Sequence, residues 1–407
     1  MPKAPESERH PLNGLRVADF SRVLAGPFCT RILTDLGADV IKIEPPAGDL
    51  SRFLGPRRRS MSGYYMQQNC GKRNVSIDLK TPRGRELAEQ IIAHSDILME
   101  NFKPGVMEEL GLGHETVRTR HPELIYCSLS GFGHDGPWRD RRAFAGIAHA
   151  TTGTLHRQLA ISGAPAFDSV LAIGDTVSGL QATIAIMAAL ELRRRTGRGQ
   201  FIDMAMHDSL LSIQECANFY LFPNEPTEHD FLCSWVYPCN GRLVAMPPDP
   251  RAQWERLTAV MGRPELATDD RYNTLSKREA ALGELEAHIA LWVAEQGSAD
   301  DVVAQLEAAG FPGAKILTMG EALDSAQTRA RNMTPEIDDR SGRPTRVLNT
   351  PYRFVDEQAA EAGVRGVPAF RGEDNGEVLE ELLGLSSDEI AELERDGVLS
   401  SRLPDPE

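Results

Sequence analysis

An α/β protein, with a large Rossmann-like domain built on a parallel sheet and a smaller, mostly helical α+β domain, is the fold class that three observations predict. Short apolar runs alternate with helix-spaced stretches up to Ala205, the pattern of repeated βαβ units. Those runs are punctuated by Gly- and Pro-bearing turns such as Gly26-Pro27, Gly37 and Pro45-Pro46. Past Pro223 the pattern changes to helical spacing that lasts to about residue 333. The chain has 407 residues, room for about two or three domains. The division read here is 1–222 for the N-terminal part of the large domain, 223–333 for the small domain with its linkers, and 334–407 for a segment returning to the large domain.

The elements follow in order. Residues 15–20 read as a buried strand, 21–27 as a turn, and 28–36 as a helix stopped at Gly37. Residues 38–44 make the second strand and 74–79 the next. A helix over 82–94 has Thr81 as its cap. Strands at 97–101 and 124–129 follow, then the turn Ser130-Gly131-Phe132-Gly133. A long apolar helix starts at Asp175 and ends near the basic Arg193-Arg194-Arg195, which suit a helix C-terminus. A strand at 201–205 and a helix from Ser209 complete the region. Residues 223–230 read as a linker and 236–246 as a hairpin around Asn240-Gly241. The tail carries helices at 377–384 and 387–395.

Composition removes several classes of function. The net charge is −15, so no basic excess exists to neutralise nucleic-acid phosphates. No stretch of roughly 18 uninterrupted apolar residues is present, so no membrane partner is expected. Residues 1–10 lack an apolar signal region, which makes a cytoplasmic location the expectation. The cysteines at 29, 70, 127, 216, 233 and 239 form no CxxC pair and no zinc-like cluster, so no metal is expected. The first turn, Ser21-Arg22-Val23-Leu24-Ala25-Gly26-Pro27, lacks the glycines of G-x-G-x-x-G, although Glu44 lies where a ribose-binding acid would. A P-loop, an HExxH pattern and a G-x-S-x-G elbow are also absent from the sequence.

The most informative residue is Asp175, preceded by Gly174 at the mouth of the long helix. One reading is structural: Asp is a favoured N-cap, because its carboxylate accepts the unpaired amides of the first turn. The other is chemical: a carboxylate can attack a thioester and carry the acyl group covalently. Lys72-Arg73, Arg141-Arg142 and the run Arg57-Arg58-Arg59 are local basic groups that either bind a small polyanion or are plain surface charge.

Taken in order, several segments resemble the class III CoA-transferases, the family that includes formyl-CoA transferase, carnitine CoA-transferase and α-methylacyl-CoA racemase. They are Leu12 to Phe20, Ala25-Gly26-Pro27, Leu36 to Glu44, Asn69-Cys70-Gly71-Lys72-Arg73, Glu100 to Gly105, Gly174-Asp175, Arg195 to Gln200, Asp270 to Thr274, Ala309-Gly310-Phe311-Pro312 and Gly372 to Leu379. The resemblance implies CoA transfer from an acyl-CoA to a free carboxylic acid, with Asp175 as the covalent nucleophile. The short 223–240 segment and the polar Thr151-Thr152 suggest a compact, polar pocket, so small dicarboxylates of the succinate or mesaconate kind are the expected acids. It implies coenzyme A as a substrate, no tightly bound cofactor, and a homodimer of interlocked rings. CoA contacts carry over to Val23, Leu24 and Ala25, to Ile77 and Lys80, to Asn101, Phe102 and Lys103, and to Arg142. Lys80, Lys103 and Arg142 are then available for phosphates, and Arg52 or Arg57–Arg59 as replacements for basic residues that the family has where Pro45 and Glu109 stand here. Phe144 and His149 are expected at the substrate pocket. The racemases of the family use a His-Asp pair where Phe144-Ala145 stands, and two opposed bases are what moving an α-proton from either face requires. The glycine run that forms a lid in formyl-CoA transferase has no counterpart between 223 and 245. Two rival functions remain: a racemase or epimerase, which exchanges an α-proton with solvent, and a CoA-binding protein without catalysis.

Overall fold

The computed structural model describes residues 9–58, 61–162, 168–215, 217–221, 235–246, 251–340, 342–355 and 361–401. The chain divides into two units, Met1–Leu221 with Ala330–Glu407, and Phe222–Arg329. The linker read at 223–230 lies outside the described residues.

The first unit is built on a six-stranded parallel sheet. Its strands are β1 (Arg16–Asp19), β2 (Asp39–Glu44), β3 (Arg73–Ser76), β4 (Ile97–Glu100), β5 (Ile125–Ser130) and β6 (Phe201–Ala205). Their spatial order is β3-β2-β1-β4-β5-β6. The chain therefore winds outward in one direction from β1 and then restarts on its other side at β4. Side chains alternate across the sheet, as period two demands. Ala18, Ile41, Leu98 and Tyr126 face one core with Leu87, Ile91, Val378 and Leu379. Val17, Val40, Met99 and Cys127 face the other with Cys29, Leu33, Ala182 and Ile186. Helices thus cover both faces, which is why the strands read as nearly continuous apolar runs.

Four helices matter for the site: α1 (Ala25–Asp35), α2 (Ala145–Thr151), α3 (Ile173–Thr196) and α4 (Met206–Ser212). Two starts differ from the sequence reading. Helix α1 begins at Ala25 rather than Phe28, with Gly26 and Pro27 inside its first turn. Proline fits there because first-turn amides have no intrahelical partner. Gly26 is required, since a Cβ would lie 2.2 Å from Ser21 Cβ. Helix α3 begins at Ile173, so Asp175 is not its N-cap but lies within its first turn. It ends at Gly197, whose φ of 68° is the left-handed C-cap that glycine supplies. By length and hydropathy α3 is able to cross a membrane; in this fold Ala182 and Ile186 bury it against the sheet and α1. Elsewhere the caps follow the sequence. The Thr81 hydroxyl accepts the Gly84 N–H at 2.9 Å to open the helix Pro82–Ala93.

The second unit has its own core around Trp254, Tyr272, Ile289 and Val302. Helices dominate it, with a three-stranded sheet of Trp235–Cys239, Arg242–Met246 and Ala314–Lys315. Its hairpin turns at Asn240-Gly241, both at positive φ, as a two-residue turn of this kind requires.

Candidate active site

In a parallel sheet, ligands bind beyond the carboxyl ends of the strands, where the winding reverses. Here that point lies between β1 and β4. A cavity of about 530 Å³ opens there, lined by Arg22 and Val23 after β1, Asn101 to Pro104 after β4, and Leu129 to Gly131 at the end of β5. Arg141 to Phe144, Asp175 and Met206 complete its wall. Asp175 is the one carboxylate among these lining residues.

The loop between β1 and α1 is held from several sides. Asn101 accepts the Arg22 N–H at 2.7 Å and donates to the Arg22 carbonyl at 2.9 Å. Val23 has φ 65°, unusual for a β-branched residue and worth about 1–3 kcal/mol of strain. Its N–H points at both carboxylate oxygens of Asp49, each 3.2 Å away. Asp49 is buried and paired with Lys42 at 3.0 Å, and Lys42 also donates to the Ser21 carbonyl at 2.7 Å. Burial opposes the charge on Asp49, but Lys42 and the Ser51 amide outweigh it and bring the carboxyl down to about 2. A second buried group supports the loop from below: Asp19 accepts from Ser21, from Thr30 at 2.7 Å and from Lys72 at 3.1 Å. These contacts aim the start of α1 into the cavity.

Asp175 receives that aim. The backbone amides of Ala25, the first residue of α1, and Ala145, the first residue of α2, lie with its own amide near enough to this half-buried carboxylate to favour its charged form. Burial nevertheless raises its pKa above the ordinary aspartate value, the amides and His149 opposing. Behind it, the fully buried His149 accepts the Gly174 N–H on Nε2 at 3.0 Å and meets Asp168 through Nδ1 at 2.8 Å. Nε2 accepts here, which leaves Nδ1 to carry the ring proton that faces Asp168. Gly146 makes room for this pair, because a Cβ there would lie 2.4 Å from Asp168 Oδ2. The site thus gathers a half-buried carboxylate, nearby backbone amides and several cations around one cleft.

The structure brings together Val23, Asn101, Phe102, Lys103, Arg142, Phe144 and Asp175 on the cavity wall. Leu24 and Ala25 are buried and do not line the cavity; the Ala25 amide lies near Asp175. Other expected contact residues lie away from the cavity wall. Ile77 is fully buried in the core, leaving no surface for a ligand. Lys80 follows β3, the edge strand, and does not line the cavity. His149 does not line it either, because both ring nitrogens are engaged behind Asp175. Arg52 does not line this cavity: its guanidinium pairs with Glu44 at 2.8 Å and stacks 3.7 Å from the Tyr65 ring centroid. Glu44 is spent on the same contact and on Asn74 at 2.7 Å. Of the other basic groups, Lys72 is buried on Asp19, and Arg73 is tied to Asp39.

Sequence reasoning missed Asp168, Asp49 and Arg22. Asp168 lies 19 positions from His149, and no local pattern links them. Tyr64 was missed as well; it lies within electrostatic reach of Asp175.

The family model for CoA-transferase family III matches residues 12–375. The chain belongs to CoA-transferase family III. Among the relatives of this transferase is the succinyl-CoA–D-citramalate CoA-transferase of Chloroflexus aurantiacus, 33% identical over 408 residues, covering 96% of this chain and 98% of that protein. The mouse succinyl-CoA:glutarate CoA-transferase is 31% identical over 398 residues, covering 96% of this chain and 90% of its own. The crystal structure of a CAIB/BAIF family protein from Brucella suis aligns with a TM-score of 0.80 at 32% identity, over 92% of this chain and 100% of that one. The family activity, CoA transfer, is the activity of this chain.

Proposed function

We propose that this transferase moves CoA between small dicarboxylic acids through a covalent intermediate on Asp175. The single observation that supports it most is the place of Asp175 as the one carboxylate lining the cavity, at the start of α3 and among cations. The relatives named for succinyl, citramalate and glutarate groups point to dicarboxylic partners.

The reaction is written as four displacements. An Asp175 oxygen attacks the donor thioester carbonyl; the C–S bond breaks, and CoA thiolate leaves behind a mixed anhydride. The thiolate attacks the aspartyl carbonyl, expels the donor acid and forms an aspartyl-CoA thioester. The acceptor carboxylate attacks that carbonyl, displacing the thiolate and giving a second anhydride. The thiolate then attacks the acceptor carbonyl and restores Asp175. The sum is one CoA exchanged for one free acid, with no proton moved. The second and third steps place an oxyanion on the aspartyl carbon, and the nearby Ala25 and Ala145 amides would stabilise it most at that moment. His149, with both ring nitrogens engaged by Gly174 and Asp168, does not face the cavity as a base, and the cycle needs none.

The racemase reading lacks its second base. Ala145 has no side-chain acid or base, Phe144 stands on the cavity wall, and His149 is closed off. We further propose a homodimer, as the resemblance implies. The test of function is a panel of free acids offered with succinyl-CoA and acetyl-CoA in deuterated water. Transfer of CoA to a dicarboxylate, with no deuterium at the α-carbon, is expected; α-exchange without an acceptor would establish the racemase instead.

A further inference from the structure

We propose that Arg22 is the anion-recognition residue of this cavity, its guanidinium receiving a phosphate or carboxylate of the bound substrates; this rests on the CoA-transferase reading above. Arg22 lines the same cavity as Asp175. Its backbone cannot swing, because Asn101 holds both its N–H and its carbonyl. Its guanidinium carbon sits over the Phe102 ring, 4.9 Å from the centroid, a contact that holds the side chain against the wall. No described residue forms a hydrogen bond or ion pair with that guanidinium, and its buried Nε has no partner. Asp49 and Glu44 act on it only through space, while burial weakens its hold on the charge. A buried donor with nothing to donate to is rare and calls for an explanation.

The other cations on the wall are differently placed. Lys103 is paired with Asp140 at 3.3 Å, Arg141 stacks 4.7 Å from the Trp138 centroid, and Arg142 is exposed. Arg22 alone among them is half-buried, oriented and without an ion-pair partner. A planar fork of this kind matches the paired oxygens of phosphate and carboxylate, which a point charge does not. Two sources carry that chemistry: the pyrophosphate of the CoA donor, and the far carboxylate of a dicarboxylic acceptor.

The test uses the full chain as wild type, Arg22→Gln and Arg22→Lys. Donors are succinyl-CoA and succinyl-pantetheine, which lacks phosphates. Acceptors are glutarate and butyrate, which lacks the second carboxylate. Arg22→Gln is expected to raise KM about 10- to 100-fold for the anion-bearing member of one pair, the size of a lost charge-assisted hydrogen bond, and to leave its counterpart within about twofold. A penalty confined to succinyl-CoA identifies phosphate; one confined to glutarate identifies the carboxylate. Arg22→Lys is expected to recover part of the loss. Equal losses for both members of both pairs, as a purely structural role gives, overturn the proposal, and so does no loss at all. Calorimetric binding of free CoA and of glutarate keeps this separate from turnover. A wild type that transfers nothing, yet binds either ligand in an Arg22-dependent way, overturns the transferase reading and upholds this one.

Discussion

Gly179→Ala tests whether the closeness of α1 and α3 sets the site. In an ordinary helix interior this change stabilises by roughly 0.5–1 kcal/mol, because alanine loses less chain entropy than glycine. Here the new Cβ would lie 2.6 Å from the Ala25 carbonyl oxygen and 3.1 Å from Phe28 Cδ1. The first partner is backbone and cannot rotate away, so α1 must retreat by roughly half an ångström or more. Overpacking of this sort costs about 1–3 kcal/mol, which exceeds the propensity gain and leaves a net loss near 1–2 kcal/mol. Ala25 is also the residue whose N–H reaches Asp175. A shift of about 1 Å in a catalytic group can cost about a hundredfold, so roughly tenfold in kcat is expected. Urea unfolding and steady-state kinetics with saturating succinyl-CoA measure both. A gain in stability would refute the packing argument. Lost stability with kcat unchanged would refute the role of the Ala25 amide.

Asp175→Asn is expected to keep the fold, since the amide oxygen still accepts the Ala25 and Ala145 N–H groups, while CoA transfer falls below detection by chromatography of the acyl-CoA products. His149→Ala leaves the Gly174 N–H without its acceptor and is expected to cost about 1–3 kcal/mol in urea unfolding, with kcat falling because the first turn of α3 loosens. Glu100 is buried and pushed up to about 7 from 4.5, so the fold favours its protonated form. That stability is present below pH 4.5 and is lost as pH rises through 7, about 3 kcal/mol in all; Glu100→Gln is expected to flatten this slope in unfolding curves taken from pH 5 to 8. Asp49 has the opposite sign. Its carboxyl is held at about 2 against 3.8, so about 2 kcal/mol present above pH 3.8 is lost as pH falls through 2, a loss absent in Asp49→Asn.

Much of the fold was legible because its signals are local. Strand β6 at 201–205 and the helix Ser387–Arg395 match their sequence readings in both bounds, each marked by an apolar period and its turn or cap residues. The starts of α1 and α3 were not legible. Gly26-Pro27 reads as a turn in sequence, and only Ser21 packed against Gly26 shows why a helix can begin there. Asp175 reads as a cap, yet it lies inside the first turn of α3, and its carboxylate is influenced by amides of α1 and α2 as well as by its own. The site divides in the same way. Residues just after strands β1 and β4 reach the cavity because the topology sends them there, and that topology follows from the βαβ pattern. Ile77 follows a strand as well, but it follows the edge strand and turns inward to the core. The basic residues misled because charge alone does not say where a side chain points: Arg52 and Lys72 are buried ion-pair members, while Arg22, unremarkable in sequence, is the oriented cation. Asp168 meets His149 only through tertiary structure.

Covalent capture at Asp175 is the most direct measurement. The transferase is incubated with succinyl-CoA, quenched with hydroxylamine, digested and sequenced by mass spectrometry. A hydroxamate on residue 175, absent without the acyl-CoA donor, is the expected result. Full turnover in which the peptide bearing residue 175 stays unmodified, with the label elsewhere or nowhere, would contradict acyl transfer through this carboxylate.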